Sequence, residues 1–313
     1  MTFEGFQDEL KRDPYTASKI SFLKKDPSVL SAKKEYNSPK NIFLLVFSFF
    51  PLALSIVVAI LIIYFTKNYS IIALGIVLVA FGIIVTIPFF MSFQKIRVRS
   101  LSNIIGQKVT EIIYGENAVY HAYKGFPLSY LTSLGLFQVN TIYQENYIEG
   151  TYHGINCSGS YITSSHKTEI DDPTSTIIDF KGVVISLKNT IPCDSHIIVS
   201  QKTDVPNNKS FNSLNEKFVS SFTTKCDDKE YSNTFLSEEK IKNLFLVTEN
   251  EDSIFKFLFR NNEMVILIPT VIEPLNIKNS LSPDRLIDYF LRMTTMTAYY
   301  IEKMKLYQTK NKD

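Results

Sequence analysis

The chain has no tryptophan, four histidines and three cysteines in 313 residues, and over one long stretch it has almost no charge. The cysteines, Cys157, Cys193 and Cys226, are odd in number and form no Cys-x-x-Cys pair, a usage that fits a reducing compartment. Neither Gly-x-x-x-x-Gly-Lys-Ser/Thr nor Gly-x-Gly-x-x-Gly occurs, which removes the common phosphate cradles. Beyond Gln94 there are 24 basic and 25 acidic residues, so the bulk of the chain lacks the basic balance that nucleic-acid binding asks for. Local patches are not excluded by that count.

The missing charge is the strongest signal. Residues 41–94 contain one charged side chain, Lys67, which divides them into uncharged runs of 41–66 and 68–94. Each run exceeds the roughly 20 apolar residues that a helix needs to cross a bilayer. Both are apolar all round, whereas core helices of soluble domains are amphipathic and usually shorter. The expectation is a transmembrane helical hairpin with spans of about 42–66 and 70–93, its tip at Lys67-Asn68-Tyr69-Ser70, and the lipid bilayer as its first partner. Pro51 and Pro88 lie at similar distances from the tip, which predicts kinks at matching depth. Ser55, Ala59, Ala73, Gly75 and Gly82 are small enough for close helix approach. No Asp, Glu, Arg or His interrupts the runs, so no transport path is indicated.

Residues 1–40 carry eight basic side chains and the exit of the second span carries Lys95, Arg97 and Arg99. The positive-inside rule therefore places both termini in the cytoplasm. The first apolar run starts too late to read as a secretory signal. The 1–40 tail reads as short helices broken at Pro14, Pro27 and Pro39. Phe3, Phe6 and Leu10 share one face of the first, suited to a membrane surface or to docking on the soluble part, with a loosely ordered charged tail as the alternative.

After the second span, Leu101, Ile104, Ile105, Val109, Ile112 and Ile113 recur at helical spacing, extending the membrane helix to a C-cap at Gly115. Strands follow: Tyr147 to Ile155, Ser160 to Ile170, Thr174 to Leu187 and Ser195 to Val199. Asp204 to Ser210 is a loop. Helices are predicted at Leu214 to Phe222 and after the capping Ser237. Next comes a hairpin, Ile254 to Arg260 and Glu263 to Ile268, turning at Asn261-Asn262. A last helix begins at Ser282-Pro283-Asp284 and runs to about Met304. The fold class is α+β, with a mainly antiparallel sheet and flanking helices over 95–313.

The ordered features resemble a family of bacterial two-span membrane proteins catalogued as a domain of unknown function and often encoded beside LemA-type proteins. The similarity rests on the basic tail and hairpin, on YIEGTYHGI (Tyr147 to Ile155), on IDFKGVVISL (Ile178 to Leu187), and on the FVSSF step from Phe218 to Phe222. LSEEKIKNL (Leu236 to Leu244) and FKFLFRNNEMVILIP (Phe255 to Pro269) follow in the same order. The sequence departs from the family between Lys225 and Phe235. The resemblance implies a bacterial inner-membrane protein and a LemA-like membrane protein as partner; it supplies no catalytic assignment.

Chemistry is sparsely written. His153, Cys157, Cys193 and His196 offer two thiols and two imidazoles for a tetrahedral zinc, although on a strand His153 and Cys157 lie about 13 Å apart. Ordinary exposed or half-buried residues are the commoner meaning of such a set, and no metal or cofactor is assigned. Cys157 with His166 is a conceivable nucleophile pair with no glycine elbow to support it. Glu169-Asp171-Asp172 and Asp227-Asp228 read as solvated loops, lacking the spacing of a calcium site. The reading is an interaction or scaffold module, presenting Tyr143, Tyr147, Tyr152 and Tyr161 to a partner, with self-association open. A membrane-tethered enzyme without a recognisable motif, and a pathogen effector inserted in a host membrane, are the alternatives.

Overall fold

The computed structural model describes residues 2–66, 69–136, 141–167, 176–188, 191–202, 213–248, 254–270 and 283–304. Lys67 and Asn68 at the expected hairpin tip, the 204–210 loop, the Glu169-Asp171-Asp172 cluster and Ser282 lie outside them.

Proline sets the rhythm of the N-terminal helices. After α1 (Phe3–Arg12), each of α2 (Pro14–Leu23), α3 (Pro27–Tyr36) and α4 (Pro39–Phe47) begins on a proline. Its missing N–H belongs to a turn with no intrahelical acceptor anyway, and its fixed φ suits the first helical position. The residue ahead supplies the cap. Asp13 accepts from the Thr16 backbone N–H at 2.8 Å, which holds its carboxyl below the ordinary carboxylate range, and Asp26 accepts from Ser28 N–H at 2.8 Å.

The hairpin comprises α5 (Phe50–Thr66) and α6 (Tyr69–Tyr114). A turn at Ser48 and Phe49 separates α4 from α5, and Pro51 sits in the first turn of α5, where it costs no intrahelical hydrogen bond. Pro88 instead lies inside the unbroken α6. The expected matched kinks are therefore a restart in one helix and an inserted proline in the other. At 46 residues, α6 is about 69 Å long on the standard rise per residue. It ends where the sequence places its cap, since Gly115 has φ 91° and donates to the Glu111 carbonyl. The helices meet through small residues: a Cβ on Gly82 would lie 2.1 Å from Ser55 Oγ, a contact only glycine permits. Two apolar stretches, within Pro27–Ile62 and Leu74–Phe93, are long enough to cross a bilayer, and only 11% and 17% of their most apolar windows is buried. That exposure sets them apart from the core helices of a soluble domain, which would be covered.

The remaining elements are β1 (Val119–His121), α7 (Leu128–Leu134), β2 (Thr141–Tyr152), β3 (Ile155–Lys167), β4 (Thr176–Lys188) and β5 (Ile197–Gln201). After these come α8 (Leu214–Ser221), β6 (Phe222–Cys226), α9 (Lys229–Phe235), α10 (Glu238–Thr248), β7 (Lys256–Arg260), β8 (Glu263–Pro269) and α11 (Pro283–Lys303). The strands form one antiparallel sheet in the order β1-β2-β3-β4-β8-β7-β5-β6. Two of its hairpins turn through residue pairs with positive φ, His153 (47°) with Gly154 (76°) and Asn261 (45°) with Asn262 (58°), the handedness that matches strand twist. The fold is thus α+β, with apolar helices ahead of an antiparallel sheet domain.

Period-two alternation divides the core between the faces of the sheet. On one face Ile162, Val184, Leu258, Val265 and Leu267 bury α7 through Leu131 and Leu134. On the other, Phe255 meets Tyr300 of α11 with ring centroids 5.9 Å apart, and Phe259 meets Phe235 of α9 at 5.2 Å. Gly159 of β3 comes so close to α11 that a Cβ there would sit 2.8 Å from Thr297 Oγ1. The N-terminal α1 also lies on α11: Phe3 and Phe6 pack on Tyr299, Gln7 Nε2 donates to Thr295 Oγ1 at 3.2 Å, and Lys11 pairs with Asp288 at 3.3 Å. Of the two expected homes for the first helix, the structure shows docking.

The chain forms two compact units. One comprises Met1–Ser21, Gly106–Asn276 and Ile287–Asp313; the other comprises Phe22–Ile105 and Ile277–Leu286.

Candidate binding groove

The chemistry-bearing residues named from sequence do not converge. His153 is in the β2–β3 turn, where its Nε2 meets Glu302 Oε1 at 3.0 Å. Cys157 is buried in β3, its Sγ 3.6 Å from the Gly150 carbonyl, and burial pushes its thiol up to about 12. Cys193 and His196 lie just ahead of β5, four strand steps from β3, a lateral distance of about 19 Å. The four do not form a zinc site. Cys157 and His166 share β3 but are nine positions apart, hence on opposite faces and about 30 Å distant, so they form no nucleophile pair. Among the described residues no group of three or more His, Cys, Asp or Glu side chains is placed to hold a metal ion.

His166 has a different neighbour. The register of β3 with β4 shifts between Ser164 and Ser165, and the extra residue on β4 is Asp179. This bulge brings Asp179 Oδ1 to 2.8 Å from His166 Nδ1. The pair orients an imidazole.

A second polar cluster is structural. Glu263, at the start of β8, is buried, and Tyr130 and Ser186 donate to its Oε1 at 2.8 and 2.5 Å while Arg260 Nε donates to Oε2 at 3.3 Å. Arg260 Nη1 also donates to the Ser133 carbonyl at 2.8 Å. The carboxylate is satisfied on both oxygens and staples α7 to the sheet.

A concavity lies elsewhere, in a stretch from which the sequence offered little. Helix α8, capped by Ser213 accepting from Glu216 N–H at 3.1 Å, runs directly into β6. Strand β6 pairs with β5 on one side, Phe222 with Gln201 through Cys226 with Ile197. Among the described residues no strand pairs with its other edge, and Thr223, Thr224 and Lys225 are exposed. Asp228 then caps α9, accepting from Tyr231 N–H at 3.0 Å. Between α8, β6 and α9 lies a groove of about 810 Å³, lined among others by His196, Ile198, Phe218, Val219, Cys226 and Asn233. A smaller cavity of about 380 Å³ flanks α8 near Lys217, Phe222 and Phe245.

The rim is rigidly held. Phe218 stacks on Phe222 at 5.2 Å, and Phe222 meets Phe245 edge-on at 5.3 Å. The Cys193 N–H donates to Asn262 Oδ1 at 3.2 Å and the Asp194 N–H to Tyr231 OH at 3.0 Å, fixing the segment that leads into β5. Lys240 covers the Phe235 ring at 3.8 Å and donates to the Phe235 carbonyl at 2.8 Å; burial lowers its pKa. Walls of mixed polar and apolar side chains beside an exposed strand edge suit an extended polypeptide, whose main chain can pair with the edge while its side chains fill the groove. Of the predicted site residues, His196 and Asp227 line this groove. The tyrosines divide: Tyr143 is 48% exposed, Tyr147 and Tyr152 are half-buried, and Tyr161 is 1% exposed. Tyr161 is a core residue, because its position on β3 faces the helices, and it is no contact maker.

No family profile matches the sequence, and no curated protein matches it. Among solved structures, the crystal structure of the mycobacterial trehalose monomycolate transport factor A, TtfA, aligns at 8% identity and a TM-score of 0.32, covering 64% of this chain and 95% of that one. A likeness at that level carries no argument about this chain.

Proposed function

We propose that this chain is a membrane-anchored interaction module of a bacterial inner membrane, in which the hairpin crosses the bilayer and the sheet domain binds an extended segment of a partner protein along β6. The observation that carries the reading is the groove beside an exposed strand edge, in a chain whose hairpin leaves its apolar side chains uncovered. The docking of α1 on α11 supports an even number of crossings, since helices before and after the hairpin then share one side of the membrane. The excess of lysine and arginine flanking the spans favours the cytoplasmic side. By the family resemblance, a LemA-type membrane protein is the partner to test first.

The experiment uses the full chain in membranes. Alkaline carbonate should leave it in the pellet; release would remove the anchor. A photo-crosslinking residue at Val219, on the groove wall, should give a discrete adduct identifiable by mass spectrometry. The same residue at Ile178, exposed on β4, should not. Thr224→Pro, which places a ring in the strand edge, should abolish the Val219 adduct. A pelleted protein with no adduct from Val219 would remove the groove from function and leave the anchor standing.

A further inference from the structure

Residues 22–40, immediately ahead of the apolar run, carry a pattern that neither the groove nor the crossing helices use. In α3, Val29 and Ala32 are buried, while the outward side presents Leu30, 49% exposed, with Lys33 and Lys34 three and four positions on. That spacing sets both lysines one turn from the leucine on the same side of the helix. Near the end of α2, Phe22 is 67% exposed, and the exposed Lys25 follows three residues later. Lys40, exposed in the first turn of α4, stands where the apolar run begins. The segment holds five lysines against two acids, Asp26 and Glu35, and Asp26 is engaged in capping α3. Large apolar side chains left in water beside lysines are the composition of an interfacial segment: rings and methyl groups enter the acyl boundary while ammonium groups reach the phosphates.

We infer that residues 22–40 dock on the anionic phospholipid headgroups of the bilayer that the hairpin enters. Phe22 and Leu30 insert at the boundary, and Lys25, Lys33, Lys34 and Lys40 pair with lipid phosphates. The inference rests on the anchored reading above. It differs from a mere orientation signal in one respect: charges that only set topology have no need of Phe22, and would leave it in water.

The absence of tryptophan gives a clean probe. Phe22→Trp introduces the sole tryptophan of the chain, at an exposed position. The full chain carrying it is reconstituted in nanodiscs of phosphatidylcholine alone and of phosphatidylcholine with phosphatidylglycerol. In anionic discs the emission should shift to shorter wavelength, and bromine placed high on the acyl chain should quench it about twofold more strongly than in neutral discs. High salt should reverse the difference by screening. Replacing Lys25, Lys33, Lys34 and Lys40 together by Gln should abolish it, with an unchanged circular dichroism spectrum. Emission that ignores lipid charge, or that survives the Gln replacements, overturns the inference; a patch serving an acidic protein gives that result. Failure of the chain to enter the discs overturns both this inference and the anchor, whereas insertion with a charge-blind tryptophan overturns this inference alone.

Discussion

At the scale of single residues, the protein protects its reactive groups. Cys157 is buried in β3, and its thiol is pushed up to about 12 by burial. At pH 8 its thiolate fraction is about three orders of magnitude below that of an ordinary cysteine. Cys226, half-exposed in the groove wall, has no such cover. Brief iodoacetamide treatment of the native chain should alkylate Cys226 and spare Cys157 until denaturant is added, as peptide mass spectrometry would show. The same shift bears on stability. The folded state holds the Cys157 proton more tightly than the unfolded chain does, so this contribution is complete below about pH 9 and is lost as pH rises from 9 towards 12. Burial raises the pKa values of Tyr114 and Tyr120 as well, adding in the same direction. Denaturation midpoints at pH 8 and 10.5 should show the loss, and Cys157→Ala should reduce it. Glu263 is a buried side chain with both of its oxygens hydrogen-bonded. Glu263→Ala leaves two hydroxyls and the Arg260 guanidinium without their acceptor and should cost about 3 kcal/mol or more in the sheet domain's unfolding free energy.

At the scale of elements, α1 contacts α11 across 288 positions of sequence. Phe6 is buried there against Tyr299, with centroids 5.7 Å apart. Phe6→Ala should weaken the docking by about 3 kcal/mol. Hydrogen exchange over residues 3–12 should then accelerate while β3, β4 and β8 keep their protection. The elements readable beforehand were those announced by local chemistry. Prolines 14, 27 and 39 open helices because their stereochemistry suits that position in any context. Asn261 and Asn262 turn a hairpin because asparagine accepts positive φ, and Gly115 ends α6 for the same conformational reason. The groove was hidden because β6 and α9 are five and seven residues long, too short for a periodic pattern. The strand order adds to this: β6 pairs with β5, β5 pairs with β7, and β8 then joins β4, so the partners are remote in sequence. His196 and Asp227 could be noticed as residue types, but nothing local says that they line one wall. The bulge that carries Asp179 to His166 is a property of register, which one strand alone does not encode.

At the scale of the whole molecule, the two apolar helices and the sheet domain state different requirements: uncovered methyl groups suit lipid, and a strand edge with no partner among the described residues suits another chain. On the proposed anchored reading the hairpin makes two crossings, and reporters should register it. Fusions at the N-terminus and after Lys303 should be active on one side of the membrane, while a reporter inserted at Lys67 should be active on the other. Opposite sides for the two ends would contradict the contact between α1 and α11. That contact has a consequence in time. Gln7 and Thr295 are 288 positions apart, so during translation α1 waits for α11 on the order of tens of seconds. For about the last two thirds of that interval the hairpin is already synthesised while α1 still has Phe3 and Phe6 without their tyrosine. A ribosome-bound intermediate with its first helix open is therefore an obligatory stage in the birth of this protein, and the closing of α1 onto α11 is a late event by which a nascent chain becomes a finished one.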